Sequence, residues 1–166
     1  TLTVVFTKSK KKFPLGSWLI RLWTWKPYSH VALRFYLPEY GSYCYYQASE
    51  GLVNYMSEWQ FHKKHEIVET IRLNVSEGIY TEIQRAAFHE AGANYGSLQN
   101  IGISILDVLK LLGIITRNPW TKGRNCSELV YEVVIKHIMG DMGYDPDIIK
   151  PHHINRILKH MVSTSY

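Results

Sequence analysis

The chain has 166 residues, of which 46% are hydrophobic and 20% are charged, and its net charge is +5. This size and apolar content are those of one ordinary domain with a buried core, so we expect a single domain over residues 1–166. Two cysteines, Cys44 and Cys126, are too few for a disulfide scaffold, and no Cys-x-x-Cys or His-x-x-x-His spacing indicates a metal site. No stretch reaches the roughly 18 to 20 uninterrupted apolar residues of a membrane span.

Five strands are predicted from β-branched, aromatic and alternating runs. They are Leu2–Phe6, the run at residues 29–35 that holds His30, Ser42–Ser49, Leu52–Met56 and Ile67–Val75. Pro38 and Gly41 mark a turn between the second and third of these strands, which predicts a hairpin.

Helices are predicted where apolar residues recur at helical spacing between start and stop signals. They are Leu15–Trp25, a helix capped by Ser76 that runs to about Ala91, Leu98–Leu112, Cys126–Met139 ending at Gly140, and a short closing helix at Pro151–His160. From residue 76 onward the chain is helical, and the strands come before it. This segregation predicts an α+β fold, with an antiparallel sheet or partial barrel packed on one side by helices.

Cys126 lies where the predicted third late helix begins. Asn125 is suited to be its N-cap, and Glu128, three residues on, can reach back to the cap backbone. The unpaired amides of a first helical turn stabilise an anion by roughly 0.3–1 kcal/mol, and a nearby imidazolium brings a thiol pKa of about 8.5 closer to neutrality. The local sequence therefore predicts a thiol nucleophile.

Eight histidines compete to be its base. His137 is eleven residues along the same helix, roughly 16 Å away at 1.5 Å per residue, so it cannot be the partner. Six other histidines lie in polar or basic surroundings, which are typical of exposed positions: His62, His65, His89, His152, His153 and His160. His30 differs because it enters an apolar strand, where a buried imidazole needs a hydrogen-bond partner or a function. A core histidine satisfied by backbone is the alternative.

Hairpin geometry suggests the group that orients His30. If the turn centres between Pro38 and Tyr40, the partners of His30 fall near positions 47 to 49, and Gln47 is the best-placed polar side chain. Its carbonyl oxygen can orient an imidazole, although it lacks the charge of a carboxylate. Cys44 is better explained as a small buried strand residue.

A local basic cluster consists of Lys8, Lys10, Lys11 and Lys12. It would be attracted to an anionic polymer or to lipid head groups, or it is simply a solvated basic loop. No base-reading motif accompanies the lysines, so we expect no specific nucleic-acid binding.

Three patches of this sequence resemble the circularly permuted papain-like cysteine hydrolases. They are Ser29–Leu33, Tyr46–Val53 and Asn125–Val130. In that family the histidine and its polar partner lie on early strands and the cysteine begins a late helix, the reverse of the order in ordinary papain-like enzymes. The branch resembled is the YiiX-like one, related to bacterial cell-wall endopeptidases and, more distantly, to the lecithin:retinol acyltransferase group. The resemblance is specific at these patches and loose over the rest of the chain.

The resemblance implies acyl transfer without a cofactor or a metal. Cys126 would be the nucleophile, His30 the base and Gln47 the third member of the triad, where the family more often has an acidic residue or another histidine. A thioester at the cysteine would be resolved by water or by a second acceptor.

Oxyanion stabilisation is expected chiefly from the backbone amide of Cys126. Tyr28 is a candidate hydroxyl donor, or else it only packs in the core. Asn125 and Ser127 are expected to line the site.

We therefore expect a cysteine hydrolase that cleaves an amide or peptide bond in cell-wall peptides. One alternative is a lipid-directed acyltransferase or esterase on the same fold. Another is a non-catalytic structural or binding component of a larger assembly, such as a viral particle. The cell envelope, the secreted fraction or a virion is expected as its location, in preference to a purely cytoplasmic one.

Overall fold

The computed structural model describes residues 1–10, 26–49, 52–93, 125–144 and 149–164. In these residues the chain forms a five-stranded antiparallel sheet with its longer helices on one face. The predicted α+β class, with an antiparallel sheet and helices on one side, is confirmed. The predicted helices Leu15–Trp25 and Leu98–Leu112 lie outside the described residues.

The strands follow the sequence predictions closely. They are β1 (Leu2–Ser9), β2 (His30–Leu37), β3 (Ser42–Ser49), β4 (Leu52–Ser57) and β5 (His65–Leu73). Their order across the sheet is β4-β3-β2-β1-β5, and all neighbours are antiparallel. The fifth strand begins and ends two residues earlier than predicted.

The predicted hairpin joins β2 to β3 through a 3₁₀ turn at Pro38–Tyr40. Gly41 ends the turn with φ of 55°, a left-handed conformation that glycine adopts without strain. Because this turn pairs Leu33 with Tyr46, the side chains of His30 and Gln47 emerge on the same face of the sheet.

Helix α1 (Glu58–Lys64) interrupts the strands and was not predicted. The Ser57 hydroxyl caps it by accepting from the amide of Gln60, at 3.4 Å. The other helices are α2 (Glu77–Glu90), α3, which comprises Cys126–Val130, a π-helical turn at Tyr131–Ile135 and Lys136–Met139, and α4 (Pro151–Thr164). Ser76 caps α2 as predicted.

The main core lies between the sheet and the three longer helices. Leu33 of β2 belongs to one buried cluster with side chains from each of them, including Ile83 of α2, Leu129 of α3 and Leu158 of α4. The opposite face of the sheet has a smaller buried cluster, into which α1 inserts Phe61. Burial on both faces explains why β2 is apolar along most of its length. Within the described part of the chain, no helix is long and apolar enough to cross a membrane.

Candidate active site

The start of α3 is held by a reciprocal cap. The Asn125 side-chain oxygen accepts hydrogen bonds from the amides of Ser127 at 2.9 Å and Glu128 at 2.8 Å. The Glu128 carboxylate in turn accepts from the Asn125 amide at 3.3 Å, which completes the predicted capping box. Since the cap engages the second and third amides of the helix, the amide of Cys126 lies outside it.

His30 is held by an amide on the neighbouring strand. Its Nε2 lies 2.9 Å from the Gln47 oxygen, so a ring protonated at Nε2 donates to that oxygen. Gln47 is fully buried, and its Nε2 donates to the Met56 sulfur at 3.7 Å. The amide therefore has a partner at each end, and its carbonyl faces the imidazole.

The thiol of Cys126 hydrogen-bonds the His30 imidazole, and the backbone of Val31 adds a second hydrogen bond to the sulfur. The structure thus brings together the three side chains that the sequence assigned to one site. Since Gln47 occupies Nε2 of the ring, we assign the contact with the sulfur to Nδ1.

The electrostatics of this contact favour an ion pair. Burial disfavours the thiolate, but the charge on His30 and hydrogen bonds from His30 and the Val31 backbone outweigh it, so the pKa of Cys126 lies below the usual 9.0. Burial likewise disfavours the imidazolium, yet the thiolate and the hydrogen bonds to Cys126 and Gln47 raise the pKa of His30 above 6.5. A thiolate beside an imidazolium is the reactive form of a cysteine nucleophile.

The second cysteine has the opposite character. Cys44 is buried in the middle of β3, as predicted, and packs in the main core. Burial raises the pKa of its thiol, although backbone hydrogen bonds from Cys44 and Phe35 oppose the effect. It is therefore a neutral thiol at physiological pH.

Tyr28 packs against Phe6, with 5.0 Å between ring centroids, and only 3% of its surface is exposed. Burial, with a smaller contribution from the charge of Glu69, raises the pKa of Tyr28 to about 12. The hydroxyl therefore keeps its proton at neutral pH. Asn125 and Ser127 both lie at the site, the first as the helix cap and the second beside the thiol.

From its sequence context His65 was expected to be exposed, and this prediction is wrong. His65 is partly buried, and its ring stacks on that of His30 with 5.1 Å between centroids and 21° between planes. The same ring stacks on Phe61 of α1 at 4.7 Å and 26°. No sequence pattern indicated this contact, because it depends on a β-bulge in the pairing of β5 with β1.

The basic cluster is only partly described. Lys8 forms an ion pair with Glu66 at 2.9 Å, and Lys10 donates from Nζ to the carbonyl of His62 at 2.6 Å. Lys11 and Lys12 lie outside the described residues.

Fold and site together define an α+β protein in which a partly buried histidine contacts a buried cysteine and a buried glutamine. No protein-family model, no curated protein and no solved structure matches the chain. Among the residues that the structure describes, no three His, Cys, Asp or Glu side chains are grouped to hold a metal ion.

Proposed function

We propose that this chain is a cysteine hydrolase that forms a thioester at Cys126. The observation that carries the proposal is the contact of the Cys126 thiol with the His30 imidazole, which Gln47 holds from the opposite side. A nucleophile, a base and a group that orients the base are the three parts that covalent acyl transfer requires.

We also propose that the fold is the permuted papain-like one. Support comes from the order of the parts along the chain. His30 begins β2, Gln47 follows on the adjacent β3, and Cys126 begins a helix that comes after the whole sheet. The helix packs on β2 and β3, the two strands that carry the histidine and the glutamine.

Acylation begins with attack of the Cys126 sulfur on the carbonyl carbon of an amide. The tetrahedral oxyanion lies near the start of α3, where the amide of Cys126, which is not part of the capping box, is the proposed donor. The His30 imidazolium gives its proton to the departing amine, the C–N bond breaks, and the thioester remains on the sulfur.

Hydrolysis returns the enzyme to its starting state. Neutral His30 takes a proton from water as the water oxygen attacks the thioester carbon. The C–S bond then breaks, the acid product leaves, and the thiolate is restored beside the imidazolium. Gln47 stabilises the imidazolium through a hydrogen bond but carries no formal charge. The stability of the imidazolium therefore depends more on the thiolate than it would in a site with a carboxylate.

Peptides of the cell envelope are the proposed substrate class. Support comes from a basic surface at the end of α1, because Lys10, Lys63 and Lys64 line an open pocket of about 450 Å³ beside Trp59. None of the described residues that line this pocket is acidic, and it suits an anionic polymer.

Selective alkylation tests the reactive pair. Limiting iodoacetamide near pH 7 should label Cys126 and spare Cys44, as read by peptide mass spectrometry, and His30→Ala should slow the labelling. Equal labelling of both cysteines, or an unchanged rate in His30→Ala, contradicts the proposal.

Product analysis tests the substrate. Peptidoglycan fragments exposed to the protein should lose a peptide that persists with Cys126→Ser, as measured by mass spectrometry. Acylation of Cys126 by lipid without peptide release would identify a lipid-directed acyltransferase instead. A role in an assembly that survives Cys126→Ala would identify a non-catalytic component.

A further inference from the structure

We infer that His65 is a positioning residue of this site, which holds the plane of the His30 ring so that Nδ1 meets the Cys126 sulfur. The inference rests on the proposed function, since it assigns a role within the same site. Its basis is the stacking of the two rings, with centroids 5.1 Å apart and 21° between their planes.

A β-bulge brings His65 to this position. Phe6 pairs with Glu69 while Thr7 pairs with Ile67, so Val68 is an extra residue in β5. Beyond the bulge Ser9 pairs with His65, and on the other side of β1 Thr7 pairs with His30.

The bulge decides which face His65 occupies. Paired residues share a face, and so do Thr7 and Ser9, which are two apart in one strand. His65 and His30 therefore emerge on the same face. Regular pairing would have set Ser9 opposite Glu66 and turned His65 to the other face. Bulges beside functional sites commonly re-aim a side chain in this way.

The hydrogen bond that Nε2 of His30 donates to the Gln47 oxygen leaves one rotation of the His30 ring free. A single in-plane contact at Nε2 fixes a direction but lets the ring rotate about it. A flat ring against the imidazole face blocks that rotation. Gln47 and His65 therefore fix complementary motions, and both are needed for Nδ1 to stay aimed at Cys126.

His65 is itself held firmly. Its backbone amide donates to the carbonyl of Phe61 at the end of α1, and its ring stacks on that of Phe61. Phe61 is fully buried and stacks in turn on Tyr45 with centroids 3.8 Å apart. The rings of Tyr45, Phe61, His65 and His30 are thus linked by successive stacking contacts.

Two titratable groups contact the His30 ring within the described residues: Cys126 from α3 and His65 from β5. From β3 the contact is the uncharged amide of Gln47. The protonation state of the His30–Cys126 pair therefore depends directly on how the His30 ring is oriented.

The test compares His65→Phe, which keeps a flat ring, with His65→Leu, which fills a similar space without one. The full-length protein is alkylated with iodoacetamide and with iodoacetate over a range of pH, and labelling of Cys126 is followed by mass spectrometry. His65→Leu should slow iodoacetamide labelling at pH 7 by about three- to tenfold, the rate equivalent of one aromatic stack. It should also narrow the pH range in which iodoacetate labels Cys126 fast, because the lower limit of that range rises and the upper limit falls. His65→Phe should restore rate and range to within about twofold.

His62→Ala is the matched control, because His62 belongs to the same helix end and lies 46% exposed, with its ring against Tyr45 and Phe61 rather than His30. If Cys126 reacts fast in the wild type and its pH range is unchanged in His65→Leu, the role of His65 is overturned but the proposed function stands. A wild-type Cys126 that reacts only as an ordinary thiol overturns the proposed function, and the role of His65 with it.

Discussion

The Met56 sulfur accepts a hydrogen bond from the Gln47 side-chain nitrogen at 3.7 Å, and this contact turns the amide oxygen toward His30. Because that oxygen can only accept, His30 carries its proton on Nε2 when neutral. Nδ1 is then free to accept the proton of the Cys126 thiol. A buried methionine thus helps to select the tautomer that a base in this position requires.

Replacing Gln47 should alter the reactivity of Cys126 according to what the new side chain offers His30. Gln47→Leu removes the acceptor and should slow alkylation by iodoacetamide at pH 7 roughly tenfold or more, since a hydrogen bond to a charged group contributes about 1.5–3 kcal/mol. Gln47→Glu keeps an acceptor and adds a charge, so its rate should at least equal that of the wild type. Asn54→Ala is the control, because Asn54 pairs directly with Gln47 on β4. Wild-type reactivity in Gln47→Leu would remove Gln47 from the site.

The pH dependence of alkylation should show an ion pair. The pKa of Cys126 is lowered from 9.0, so its thiolate forms at lower pH than that of an ordinary thiol. The pKa of His30 is raised from 6.5, so its imidazolium persists to higher pH. These two pKa values set the lower and upper limits of the pH range in which the ion pair exists. Both limits are properties of the pair and not of either residue alone.

Two reagents separate these limits. Reaction with anionic iodoacetate should be fast between them and fall at higher pH, because the imidazolium that attracts the reagent is lost. The rate of reaction with neutral iodoacetamide should rise at the same lower limit, where the thiolate forms. It should not fall at higher pH. Identical profiles for both reagents, rising only near pH 9, would show that no ion pair forms.

The hairpin and the helix start could be predicted because their determinants are local. The turn at Pro38–Tyr40 fixes the register of β2 and β3, and strand alternation then carries that register to Gln47. Asn125 and Glu128 are three residues apart and specify the cap by their own chemistry.

Helix α1 and the role of His65 could not be predicted, because they depend on longer-range pairing. Helix α1 is short and polar apart from Trp59 and Phe61, so it shows no helical period over a useful length. The bulge at Val68 shifts the pairing of β5 by one residue, and sequence alternation alone assigns His65 to the wrong face. The contact between Cys126 and His30 was a hypothesis from chemical type, and only the fold brings the two side chains together.

Loss of the α3 cap should destabilise the protein. Asn125→Ala removes the acceptor for two buried amides, those of Ser127 and Glu128, and should lower the free energy of unfolding by about 1–2 kcal/mol. Asn125→Ser keeps a capping oxygen and should recover most of this loss. Urea denaturation measures both variants. Equal stability of the alanine variant and the wild type would mean that water replaces the cap at no cost.

His152 should make the protein less stable in mild acid. Burial, followed by the positive charges of His153, Lys150, Arg156 and Lys26, lowers the pKa of His152 to about 4. Between that value and the 6.5 of the unfolded chain, the unfolded state binds more protons, so stability falls as the pH drops through this range. The loss should reach roughly 1–2 kcal/mol at pH 5 relative to pH 8, after allowance for solvent screening.

Substitution of His152 tests this linkage directly. His152→Gln removes the titrating ring from the first turn of α4 and should therefore be more stable than the wild type at pH 5 by about that amount, with the difference reduced at pH 8. His160→Gln is the matched control, because His160 is exposed near the other end of the same helix. Chemical denaturation of the three proteins at both pH values gives the comparison. The same pH dependence in His152→Gln and the wild type would assign the acid sensitivity to other groups.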